Sequence, residues 1–88
     1  MAADVGMIRC HVPDCRPQTL VEGSRRWVVA RLLAREEGAG VGELLEAFGL
    51  PQDSTLAPLH RRLGTLARAK CRPIRRVGRG RWARYFWC

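Results

Sequence analysis

The chain has 88 residues, 47% hydrophobic and 27% charged, a mixture typical of one small folded domain that leaves no room for a catalytic domain beside a separate binding domain. Arginines and acids interrupt every apolar run before it reaches the roughly 18 residues of a membrane span, so no spanning helix is expected. The net charge is +8 and is unevenly placed: residues 1–53 carry six arginines against all eight acids, a net −2, whereas residues 54–88 carry ten basic residues and no acid, a net +10.

Met1, Ala2, Ala3, Asp4 and Val5 lack the basic flank and apolar run of a secretory signal, so the expected location is the cytoplasm. Pro13 and Pro17 break up residues 1–23, which read as an N-terminal arm with at most one short strand within Val5 to Val12. The domain proper is expected over residues 24–88. Ser24 is a good N-cap, and Trp27, Val28, Ala30, Leu32, Leu33 and Ala34 predict an apolar helix ending at Gly38 with Trp27 in the core. Gly38 to Gly42 read as a flexible connection. A second helix is expected over Glu43 to Phe48, with Leu44, Leu45 and Phe48 inward and Glu43 and Glu46 near its positive end. Gly49 supplies a left-handed stop and Pro51 prevents the helix from resuming, so the chain turns.

Asp53, Ser54 or Thr55 caps a third helix of about 54–69, in whose first turn Pro58 is tolerated. Leu56, Leu59, Leu63 and Leu66 recur at helical spacing and define its apolar stripe. The opposite side carries Arg61, Thr65 and Arg68, flanked by Ala57, Pro58 and Arg62. Beyond Cys71 the period changes, and Ile74 to Val77 and Trp82 to Trp87 predict two strands joined by Gly78, Arg79, Gly80 and Arg81, a hairpin signal. Trp82, Tyr85 and Trp87 are expected in the core or at a dimer surface.

An acid-free half of this charge density repels itself when folded, and phosphate backbones are the commonest partner that neutralises it. A helix that is basic on its outer face suits the major groove of a duplex, with a basic hairpin beside it reaching phosphates or the minor groove. Residues 24–87 resemble the winged helix-turn-helix superfamily of DNA-binding domains. The residues that carry the resemblance are Val41, Gly42, Glu43, Leu44 and Leu45 through Phe48, Gly49 and Leu50, then Ser54, Thr55, Leu56, Leu59, Arg61, Arg62, Leu63 and Leu66, and last Arg75, Arg76, Val77, Gly78, Arg79, Gly80 and Arg81. The resemblance implies an α+β fold of three helices with a C-terminal two- or three-stranded β-wing. It also implies double-stranded DNA binding and transcription regulation of the small prokaryotic or phage type. In this reading Ser54, Thr55, Ala57, Pro58, Arg61, Arg62, Thr65 and Arg68 face the groove, and Arg75, Arg76, Arg79 and Arg81 supply the wing and its contacts. The chain departs from the family where the third helix gives way to the wing: members often place glycine there, and here stand Lys70 and Cys71.

Readings of other classes are a protein-binding winged helix from a mobile element, such as an anti-CRISPR inhibitor docked on a host protein, and an RNA or single-strand binder using the aromatic strand. The basic half speaks against an inhibitor that mimics DNA. A homodimer is compatible with the thin core of so short a chain. Cys10, His11 and Cys15, with Cys71 or Cys88, are candidate zinc ligands, but the loose spacing favours free thiols and no cofactor, with disulfides less expected still. His60 reads as a helix-edge residue. Ser24 and Ser54 are better explained as caps than as nucleophiles, and no paired carboxylates or phosphate-cradling loop is present, so an enzyme is not expected.

Overall fold

The Ser24 hydroxyl accepts a hydrogen bond from the Trp27 amide at 3.3 Å and so opens the first helix, satisfying one of the amides that a helix start leaves unpaired. The computed structural model describes residues 5–11 and 13–88. The signal reading on Met1 to Asp4 and the Val12 end of the first expected strand lie outside the described residues. In chain order the elements are β1 Val5–Ile8, α1 Arg25–Leu33, β2 Ala39–Gly40, α2 Val41–Phe48, α3 Leu56–Lys70, β3 Ile74–Val77 and β4 Arg84–Trp87, with a 3-10 turn at Gly80–Trp82. The protein is thus a small α+β domain of three helices and one antiparallel four-stranded sheet, in the order β1-β3-β4-β2.

Among the described residues, one strand is the short one expected within Val5 to Val12 of the arm, and another comes from a segment read in the sequence as a flexible connection. The arm contributes β1, with Gly6 opposite Arg76 and Ile8 opposite Ile74. The glycine-rich connection contributes β2, with Ala39 opposite Tyr85 and Gly40 opposite Arg84. Gly38 is required on two counts: its φ is 68°, in the left-handed region that glycine adopts without penalty, and a Cβ would collide with the Tyr85 carbonyl and the Phe86 ring. Helix α1 accordingly stops at Leu33, short of Gly38, and α2 begins at Val41. The turn between them is held by Arg35, which donates to the Gly38 carbonyl at 2.7 Å and to the Glu43 carboxylate at 2.8 Å. Glu43 also accepts from the Gly40 amide at 3.1 Å, half of a capping box. That backbone bond, followed by the Arg35 guanidinium, holds its carboxyl below the usual carboxylate range.

Gly49 ends α2 with a φ of 72°, as expected. The predicted stripe of α3 holds: Leu59, Leu63 and Leu66 are fully buried and Leu56 half-buried. They meet Val29 and Leu33 of α1, Leu44, Leu45 and Phe48 of α2, and Ile74 and Tyr85 of the sheet. Strand alternation puts Ile74, Arg76, Tyr85 and Trp87 toward this core and Arg75, Val77, Arg84 and Phe86 on the outer sheet face.

Trp27, expected in the core, and Trp82, expected in the core or at a dimer surface, both lie outside the core. Trp27 is only half-buried, on the α1 face where Arg31 lies 4.9 Å over its ring. Trp82 belongs to the hairpin turn and not to β4, and is 92% exposed. Trp87 packs against the core and donates its Nε1–H to the Ala30 carbonyl at 2.9 Å.

Candidate nucleic-acid interface

Helix α3 presents Arg61, Arg62 and Arg68 to solvent, while Thr65 is half-buried and turns its hydroxyl back to the Arg61 carbonyl at 3.1 Å. Alongside runs the arm. The Gln18 amide donates to the Ala69 carbonyl at 2.7 Å, and the Lys70 ammonium donates to the Gln18 carbonyl at 3.0 Å. Between the arm, the first turn of α1 and α3 lies a groove of about 790 Å³, lined on its charged parts by Arg25, Arg26, Arg61 and Arg62 and, among the described residues, by no acid. A shallower depression continues from it past Arg16, Arg26 and Arg68. Six arginines from three segments therefore border one continuous surface. Three of them, Arg16, Arg25 and Arg26, come from the half of the chain whose net charge is negative, which is why the charge distribution along the sequence did not single them out.

The remaining predicted contacts divide. Ser54 and Thr55 stand at the start of α3, Thr55 exposed as its N-cap and the Ser54 hydroxyl donating to the Thr55 carbonyl. Arg81 donates to the Ser54 carbonyl at 3.2 Å and to the Gln52 carbonyl, and so fastens the hairpin beside the N-terminus of α3. Arg79 is exposed in that hairpin. Arg76 turns inward, donating to the Gly78 carbonyl. Arg75 is on the outer sheet face, 5.2 Å over the Phe86 ring. Lys70 and Arg72 bond to carbonyls of the arm and of Cys88. The basic residues after Asp53 thus converge only in part: Arg61, Arg62 and Arg68 share the groove and its continuation, and Arg81 lies beside the start of α3.

No family model matches this chain. Nor does any curated protein or solved structure. The surface itself must carry the functional argument, and Trp82 adds to it. Its ring stands in solvent in the same turn as Arg79 and Arg81, a combination of apolar face and cations that the sequence assigned to the core or a dimer surface. The two glycines with positive φ that bound the turn, Gly78 and Gly80, are the signal that could have found it.

His60 is a positioning residue of the core edge: its Nε2 is 2.6 Å from the Tyr85 hydroxyl, which gives the largest fully buried side chain its hydrogen-bond partner. Burial, with the Arg76 guanidinium second, holds His60 below its ordinary range, and burial pushes the Tyr85 phenol up.

The cysteines also differ from expectation. Cys15 and Cys71, 56 residues apart, are joined as a disulfide with Cα atoms 5.7 Å apart, because the arm folds back over the end of α3. Cys10 and Cys88 are free. Cys10 lies in the same place as the pair, all three sulfurs within 4.8 Å of one another, whereas His11 is exposed and outside that group. Among the described residues no helix is long and apolar enough to cross a membrane.

Proposed function

We propose that this chain is a winged helix-turn-helix protein that binds double-stranded DNA and regulates transcription, with α3 facing the major groove and the 78–83 hairpin as the wing. The observation that carries the reading is the acid-free groove along α3, to which α1 adds Arg25 and Arg26 beside Arg61 and Arg62. Four guanidinium groups in one concavity, with no acid lining it, are arranged for phosphates more than for a solvated surface. The element order supports it as well: two helices, a sharp turn, a third helix basic on its outer side, then a glycine-flanked basic hairpin. Arg81 holds that hairpin beside the start of α3, where a wing has to stand if both are to touch one duplex. Trp82 offers a ring for packing on a sugar or base at the wing. In this reading the protein is a binding module with no chemistry of its own.

The test is fluorescence anisotropy with a random duplex. If ~6 phosphates are neutralised, affinity falls about a thousandfold between 50 and 200 mM salt. The R61A/R62A double variant then binds severely more weakly while its circular dichroism is unchanged. Salt-insensitive binding, or an unaltered double variant, removes the assignment, and tighter binding to single strands or RNA replaces it with the single-strand reading.

The exposure of Trp82 also favours a second reading, a protein-docking inhibitor with this side chain as its anchor. Under it W82A loses a host-protein partner in a pull-down, and the duplex titration shows no binding.

A further inference from the structure

We propose that Cys10, Cys15 and Cys71, when reduced, form a three-thiolate site for a divalent metal of the zinc class, clamping the arm to α3. The three sulfurs come from three separate parts of the chain: just beyond β1, the turn that follows Pro13 and Asp14, and the C-cap of α3. All three are half-buried and within 4.8 Å of one another. A disulfide employs two of them and leaves Cys10 beside the pair with nothing to do; a metal employs all three. Tetrahedral zinc takes thiolate ligands readily, and thiolates discriminate against magnesium and calcium. Among the described residues no fourth ligand joins the group, so the fourth position is open to solvent or a small exogenous ligand.

Two further observations point to a purpose at this place. Cys71 is the sole non-glycine residue with positive φ among the described residues, at 51°, a left-handed C-cap where glycine is cheaper by about 1–2 kcal/mol. That cost is offset by the bond the Cys71 sulfur makes to the arm, the Cys15 disulfide in this structure and the metal in the reduced chain. Among the described residues of the arm, moreover, Ile8 and Leu20 alone pack against the core, so a clamp at Cys10 and Cys15 adds to that packing. Three thiolates around a divalent ion carry one net negative charge, and Arg16 and Arg68 stand at the adjoining depression to balance it.

The conversion balances. Two equivalents of a monothiol reductant deliver two electrons and two protons to the Cys15–Cys71 disulfide, leaving two cysteine thiols and the reductant's own disulfide. Three thiols then lose three protons as one divalent ion binds. The test is titration of the reduced full chain with cobalt(II) under anaerobic conditions, followed by displacement with zinc. The expected result is a thiolate-to-metal absorption band that saturates at one equivalent and disappears on adding zinc. C10S, which keeps the Cys15–Cys71 pair and whose fold is checked by circular dichroism, weakens binding by at least about tenfold; C88S binds as the parent does. Failure of the reduced chain to saturate at one equivalent overturns the site, as does unchanged binding by C10S or equal weakening in C88S. DNA affinity does not enter this measurement, so its outcome is separable from the function proposed above.

Discussion

His60 and Tyr85 form one hydrogen bond that links α3 to β4 and holds the largest fully buried side chain among the described residues in place. Its consequence is a pH dependence with a definite sign. The folded His60 has a pKa below the ordinary 6.5, so the unfolded chain takes up the proton more readily and proton binding favours unfolding. The stability associated with His60 is present in full above about 6.5 and declines as pH falls through the folded value. Glu43, also lowered, declines in the same direction but only below its ordinary 4.5, which leaves the window between about pH 7 and 5 to histidine. Thermal melts across that window should show Tm falling toward acid, and H60Q should flatten the curve. A parent chain whose Tm does not change between pH 7 and 5 contradicts the arrangement.

The elements are held by unequal means, and mutation should show it. Leu63 is fully buried on the inner stripe of α3, so L63A should cost about 2–5 kcal/mol in urea unfolding. Leu56, one turn before Leu59 on the same stripe, is half-buried and should cost clearly less; equal destabilisation would mean that the first turn of α3 is as enclosed as its middle. The hairpin has no such packing at its tip. One of its restraints is Arg81 on the Ser54 and Gln52 carbonyls, an exposed interaction of the kind that adds little to global stability. R81A should therefore leave Tm within a few degrees of the parent and speed hydrogen exchange of the amides at 78–83, where local opening registers first. Unchanged exchange there would show that the turn geometry alone holds the hairpin.

For the whole molecule, the useful distinction is between arginines that share a surface and arginines that share only a sign. Arg25 and Arg26 border the groove of α3, whereas Arg75 is turned to the opposite face of the sheet. If duplex DNA lies on the groove, R25A/R26A should weaken binding and reduce the salt slope by about one for each phosphate no longer neutralised, and R75A should change neither. The reverse ranking in an anisotropy titration would move the interface to the outer sheet face and exclude the α3 reading.

The sequence by itself determined the three helices and much of their punctuation, though not the end of α1 or the start of α2, because these depend on short-range chemistry: Ser24 as a cap, Gly49 and Pro51 as a stop, and leucines at helical spacing on α3 each act within a turn or two of themselves. The α+β class was legible for the same reason, through the change of period after Cys71. What only the tertiary structure decided were the pairings that cross long stretches of chain. Gly38 to Gly42 carry no strand signal, yet Ala39 and Gly40 pair with β4 because glycine lets the backbone approach Tyr85 and Phe86. The place of Trp82 outside the core, the thiols of Cys10, Cys15 and Cys71 in one cluster, and Arg16, Arg25 and Arg26 beside the arginines of α3 have the same origin. Periodicity assigns a side chain to a face of its own element, but which elements then face one another is settled by packing and backbone pairing between residues far apart in the chain, as Val5 and Val77 are where β1 pairs with β3.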